Sequence, residues 1–316
     1  MRIMISTLLL LGAIGAAQAQ DYPSRPVRLI VPSEPGGGTD ISARILAEKL
    51  SQSTGQQFVV ENRPGAGQMI GTEQVARSPA DGYTLLVAAA AITILPATNP
   101  NVKFDILRDF VPISQLISSP SIMVTPASLP FKTLKEFVAA VKAKPGVFNF
   151  GSAGPGTQPH MAMELFRVMA GLDMQHVPYK GIAPALNGVI AGQVSAIIIN
   201  PLSAKSQIEA GNVRGLGISS AIRSAIMPDL PTIAETVPGY EAIQWYGLLA
   251  PAGTPAPIVA RLHKEVAAAL KSPEMQRRLA ADAAEAVGNT PAEFSAQIKS
   301  ELEKWAKVAE LANLKR

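Results

Sequence analysis

Apolar positions along this chain follow two rhythms. Short runs that are apolar at nearly every position alternate with longer stretches in which apolar residues recur every three or four places. The first rhythm predicts strands over residues 27–32, 58–61, 83–87, 111–117, 121–125, 148–151, 174–178, 196–200, 213–219 and 246–250. The second predicts helices over 40–53, 69–77, 134–143, 157–170, 182–191, 202–210, 257–270, 273–284 and 291–312. Runs such as Ala196-Ile197-Ile198-Ile199 imply burial on both faces, in a largely parallel sheet. Alternating strands and helices place the chain in the α/β class. Pro273 and Pro291 fall in first turns, where proline is tolerated. No repeat of 20–50 residues stands out.

Residues 32–40 read Pro-Ser-Glu-Pro-Gly-Gly-Gly-Thr-Asp, between the first strand and a helix with Ile41, Ile45, Leu46 and Leu50 on one side. The consecutive glycines let the backbone turn tightly and bring N–H groups close to a bound group. Thr39 or Asp40 is the expected N-cap. A strand, a glycine turn and a helix start form an anion site, because unpaired N–H groups and the helix dipole converge there. The same chemistry recurs far down the chain. Strand 148–151 leads into Ser152, Ala153, Gly154, Pro155, Gly156 and Thr157, followed by a helix carrying His160, Met161, Met163, Leu165 and Phe166. With one copy in each domain, the two helix starts face each other across a cleft and clamp one small anion. The alternative stays open, since a doubly wound sheet has several such turns by necessity.

Composition adds an address. Met1-Arg2, an apolar run over residues 3–17 and Ala17-Gln18-Ala19 describe a secretory signal peptide, with cleavage expected after Ala19. The apolar run is too short to span a bilayer. Removing it lowers the formal net charge from +4 to +3, because Arg2 is its only charge. No Lys/Arg block suits nucleic acid. The chain has no cysteine, so disulfides, thiolate nucleophiles and Cys-based metal sites are excluded. A mature chain of about 300 residues has room for two domains stabilised by burial. These features predict a periplasmic protein without a membrane anchor.

Several motifs together resemble one family. They are the turn at 32–40, Val60-Glu61-Asn62-Arg63-Pro64-Gly65-Ala66-Gly67, Gly71-Thr72, Ala80-Asp81-Gly82-Tyr83-Thr84-Leu85-Leu86 and residues 150–157. His176-Val177-Pro178-Tyr179-Lys180-Gly181, Pro231-Thr232-Ile233-Ala234-Glu235 and Ala250-Pro251-Ala252-Gly253-Thr254-Pro255 complete the pattern. In order and spacing these are similar to the periplasmic solute receptors of the tripartite tricarboxylate transporters, also called Bug receptors. The resemblance implies a two-lobed, type II-like periplasmic binding protein with a ligand cleft between two α/β domains. It implies a first lobe from residues 20–125 and 243–316, with the C-terminal helices returning to it, and a second lobe from 126–242. It further implies a monomer that binds a small carboxylate and delivers it to the membrane components of the transporter. An enzyme activity, a cofactor or a metal is not implied.

Carried over residue by residue, the resemblance implies that Gly37, Gly38, Thr39 and Asp40 on one lobe meet Ser152, Gly154 and Thr157 on the other. Tyr179 and Gly181 would lie beside the ligand. His160 either points into the cleft or is a partly buried helix residue. Asn200 ends strand 196–200, and Ile199 stands where relatives often carry an acidic residue, which disfavours amino-acid ligands. Ser33 and Glu34 replace an aromatic or small apolar residue and enlarge the pocket. Glu34 faces solvent or the rim, meets a ligand cation, or donates a hydrogen bond when protonated; the cost of burying an unpaired carboxylate favours the first. The run of alanines at 88–91, including Ala89 and Ala90, gives the cleft an apolar wall. A larger, drier pocket favours a carboxylate with apolar bulk, aromatic or dicarboxylate, over citrate.

Catalytic alternatives carry less. Gly65, Gly67 and Gly71 miss the dinucleotide spacing by one residue, and the following strand ends without an acidic residue. Ser152 lacks the glycine two places before it that a nucleophile elbow requires. His160, His176 and His263 have no metal spacing. Met161, Met163 and Met169 read as core filling, and Trp245-Tyr246 as either a cleft border or a buried pair. A periplasmic serine hydrolase using Ser152 and His160 is the rival function, with a ligand sensor for a signalling partner as the third.

Overall fold

The computed structural model describes residues 22–224, 227–281 and 284–314. The expected signal peptide and its cleavage site lie outside the described residues. Strand β1 (Val27–Val31) is followed by helix α1 (Gly38–Thr54), β2 (Phe58–Asn62), α2 (Met69–Ala76) and β3 (Thr84–Ala89). β1 pairs parallel with β2 and with β3, as helical crossovers require. Side chains along β1 alternate between two cores. Leu29 and Val31 pack with Leu46 and Leu50 of α1, whereas Ile30 joins Val75, Leu86 and Phe294 on the other face.

The chain continues through α3 (Ala91–Thr98), the single turn α4 (Ile106–Asp109) and the long strand β4 (Phe110–Ser119). Neither α3 nor α4 is legible as a helix. Pro96 sits inside α3, where it removes a backbone donor, and α4 is one turn held by Asp105, whose side chain accepts the N–H groups of Leu107 and Arg108. Strands β5 (Ile122–Pro126), β6 (Asn149–Ser152), β7 (Gln175–Pro178), β8 (Ile197–Ile199) and β9 (Val213–Ile218) build the second lobe. They are interleaved with α5 (Leu134–Ala143), α6 (Gln158–Ala170), α7 (Ile182–Ile190) and α8 (Pro201–Glu209). β5 lies between β8 and β9 and is antiparallel to both. β6 and β7 are parallel, and Phe150 bridges in parallel to Ala196. β5, which the expected division puts at the end of the first lobe, thus pairs with strands of the second.

The chain returns along β10 (Gln244–Pro251) and ends with α9 (Ala256–Leu270), α10 (Pro273–Ala281), the two-residue β11 (Glu285–Ala286) and α11 (Pro291–Leu311). The first-lobe sheet has the order β11-β4-β10-β3-β1-β2, and β10 is antiparallel to both β3 and β4. This corrects the largely parallel sheet expected from the all-apolar strands. Both faces are covered by helices, so a central strand reads as continuously apolar whichever way it runs. Ile197 and Ile199 face one core and Ile198 the other, so the two-sided burial itself holds.

α11 starts with a capping box between Thr290 and Glu293. At about 1.5 Å per residue it is long enough to reach across both lobes. Phe294 and Ile298 belong to the first-lobe core, whereas Trp305, Val308 and Ala309 belong to the second. The last helix therefore does not stay with one lobe. The lobes are also joined by the passage from β4 to β5 at Pro120 and Ser121, and by the return into β10.

Candidate functional site

β1 delivers the chain into the first glycine turn, and α1 begins at Gly38 with Gly37 as its N-cap in an extended conformation. Thr39 and Asp40, the expected caps, lie instead in the first helical turn. Asp40 reaches back, and its Oδ2 accepts the Gly36 N–H at 2.9 Å, where φ is +85°. Its carboxylate also accepts from Asn62 Nδ2 at 3.0 Å and pairs with Arg44 at 3.0 Å. Burial pushes the Asp40 carboxyl up, but Arg44, the Gly36 N–H and Asn62 together hold it below the usual carboxylate range. Asp40 therefore fastens the turn from behind. The first N–H groups of α1 have no partner within the helix. Gly38 carries the close approach here, because a Cβ at that position would strike the Tyr246 hydroxyl. Ser33 Oγ is buried without a hydrogen-bond partner, and Glu34 is exposed.

β6 delivers the second turn, which passes Gly154 and Gly156 at φ +122° and +72° before α6 starts at Gln158 with Thr157 as N-cap. Thr157 Oγ1 donates to the Gly154 carbonyl at 2.7 Å. Ser152 is fully buried. Its Oγ accepts the Gly154 N–H at 3.0 Å and lies 2.6 Å from His176 Nε2. His160 is buried too, and its Nδ1 accepts the Gly156 N–H at 3.1 Å. Its Nε2 is 3.6 Å from Glu164 Oε1, beyond hydrogen-bond reach. Ser152 and His160 are therefore not a nucleophile and its base; the serine hydroxyl is spent inside the second-lobe core. Burial and the adjacent His160 push His176 down from 6.5 to about 4, against the opposing pull of Glu164.

Other expected residues serve the frame. The Tyr179 N–H donates to the Ser152 carbonyl at 3.1 Å, and its ring lies so close to Gly188 that a Cβ there would collide with it. Gly181, at φ +124°, is the N-cap of α7. Asn200 caps α8, its Oδ1 accepting the Ser203 N–H at 2.8 Å. Ala89 and Ala90 are buried against β10, where the Ala90 N–H donates to the Trp245 carbonyl at 2.9 Å.

Between the lobes lies a cavity of about 410 Å³. α1 contributes Gly38, Ile41 and Ser42 to its lining, and α6 contributes Gln158 and Pro159. Ile182, Asn200 and Leu202 come from the starts of α7 and α8, while Ile117 and Ser119 come from β4, Ser121 from the passage into β5, and Gln244 and Tyr246 from β10. Of the candidate ligand residues Gly38 and Asn200 line the cavity, and Ile199, at the position where relatives often carry an acidic residue, lines it beside Asn200. Gly37, Thr39, Asp40, Ser152, Gly154 and Thr157 build the two turns behind it. Ser33, Glu34, Ala89, Ala90, His160, Tyr179 and Gly181 are not in its lining. Trp245 is core and Tyr246 is cleft border, which splits the two readings of that pair.

Sequence reasoning missed Gln158. It is 7 % exposed, and its Nε2 makes no hydrogen bond. The available signal was its place directly after Thr157, where a polar side chain sits in the first turn of the second anion-site helix. Among the described residues, no Asp, Glu, Lys, Arg or His lines the cavity. Its polar groups are neutral side chains and helix-start N–H groups, an arrangement that accepts an anion by hydrogen bonding.

A family model described as the tripartite tricarboxylate transporter family receptor matches residues 42–314. Protein BugT of Bordetella pertussis is 38 % identical over 300 residues, covering 94 % of this chain and 92 % of BugT. The structure of R. palustris Rpa4515 with adipate is 36 % identical with a TM-score of 0.77, covering 93 % of this chain and 99 % of that one. MatC from Rhodopseudomonas palustris with bound malate is 30 % identical with a TM-score of 0.75, covering 91 % and 99 %.

Proposed function

The chain belongs to the tripartite tricarboxylate transporter receptor family, and from that premise we propose that it binds one small carboxylate between its lobes and hands it to the transporter's membrane components. Receptors of this family bind solutes and are not enzymes. The observation that carries the reading is the meeting of Gly38 and Gln158 in one cavity. Each lies in the first turn of the helix after a glycine turn, and they come from different lobes. Adipate in one neighbour and malate in another support a carboxylate as the ligand class.

Closure of the two lobes by hinge bending would make the closed surface the form that the membrane partner reads. The working protein in this proposal is a monomer in the periplasm, exported by residues 1–19 and cleaved after Ala19. Residues 20–125 and 243–316 form the bulk of its first lobe, and 126–242 the bulk of its second. Among the described residues no helix is long and apolar enough to cross a membrane.

A thermal-shift screen of mono-, di- and tricarboxylates tests this, because a ligand that binds only the folded state stabilises it by mass action. Calorimetry on a hit and its amide then asks whether the charge is needed. An acid that binds clearly tighter than its amide supports the anion site; equal affinity for acid and amide sinks it.

A further inference from the structure

We infer that the ligand is a monocarboxylate with an apolar body, and that Gln158 is the side chain that reads its carboxylate. This deepens the receptor reading above and rests on it. Gln158 is buried at the start of α6 with its amide nitrogen unpaired, a cost the fold carries until an acceptor arrives. Gly38 lines the same cavity from the start of α1, so two helix N-termini and one neutral amide define a single anion pole. Asp40 does not oppose an anion there, since Arg44 and Asn62 hold its charge behind the turn.

Away from this pole the lining carries Ile41, Ile117, Ile182, Leu202, Leu279 and the Tyr246 ring, and the polar side chains among them, Ser119, Ser121 and Gln244, are all neutral. The other helix start at the cavity with a polar lining residue, that of α8, is already capped by Asn200. Ser42 Oγ is likewise engaged, donating to the Gly38 carbonyl at 2.7 Å. A second carboxylate would meet only these neutral side chains, with no cation among the described lining residues, and an incompletely paired charge costs more than apolar contact returns. An alkyl chain or ring in the same place gains from burial.

Matched acids test this on the mature chain by calorimetry: hexanoate against adipate, and benzoate against terephthalate. At least one monoacid should bind about tenfold or more tighter than its diacid. Gln158→Ala should weaken that monoacid about tenfold, the loss of one hydrogen bond to a charged group. Gln158→Glu, which puts a carboxylate at the pole, should abolish binding, while both variants keep the parent's melting temperature within a few degrees. If neither monoacid beats its diacid, the inference falls and the receptor reading stands; unchanged affinity in both Gln158 variants has the same consequence. If no carboxylate in the wider screen binds, the receptor reading falls and takes this one with it.

Discussion

The rings of His160 and His176 are stacked, their centroids 3.9 Å apart and their planes 27° from parallel. Phe150 extends the stack on the His176 ring at 5.0 Å. These three residues come from β6, α6 and β7, so the stack ties together the strand, helix and neighbouring strand that shape the second glycine turn. Ser152 stands at its edge, hydrogen-bonded to His176.

The stack makes stability depend on pH with a defined sign. His176 is pushed down to about 4 by burial and by His160, whereas in the unfolded chain it titrates near 6.5. The unfolded state therefore takes up the proton first. Stability from this group is intact above about pH 6.5 and is lost as pH falls toward about 4. Between pH 7 and pH 5 the melting temperature of the parent should drop further than that of His176→Asn. Parallel melting curves across that window would refute the assignment.

Ser152 is expected to act on the fold. Its hydroxyl accepts the Gly154 N–H and meets His176, all within a buried corner. Ser152→Ala should cost about 1–3 kcal/mol of stability, the range for leaving a buried partner unsatisfied. Urea unfolding measures this. A variant as stable as the parent but far weaker in carboxylate binding would return Ser152 to the ligand.

Gly38 and Tyr246 should be energetically coupled. A Cβ on residue 38 runs into the Tyr246 hydroxyl, and overpacking of this kind costs about 1–3 kcal/mol. Because both residues line the cavity, Gly38→Ala should lower affinity as well as stability. Tyr246→Phe removes the clashing oxygen, so the double variant should lose less than the sum of the single losses. Strict additivity in a double-mutant cycle would be the contrary result.

The sequence by itself determined the elements and the family. Strand β1, the helix Leu134–Ala143 and the start of α11 at Pro291 follow from patterns set within a turn or a pleat, where each residue's neighbours in the chain are its neighbours in space. The two strand-turn-helix motifs were legible for the same reason, since glycines and helix starts are local signals. Tertiary structure decided which of their atoms face the ligand cavity. Asp40 and Ser152 read as ligand residues in the sequence, and the fold adds that Asn62 and His176, distant in sequence, bond to their polar atoms. Gln158 has no signal of its own beyond its place in a first turn; its unpaired amide matters because a second lobe brings Gly38 to the same cavity. The direction of β10 and the double allegiance of α11 are likewise invisible in the pattern. An apolar side chain is buried equally well against either strand direction and either core, so burial alone does not choose. That choice is made by partners distant in the chain: β10 pairs antiparallel with β3 and β4, and Trp305 and Val308 pack into the second-lobe core.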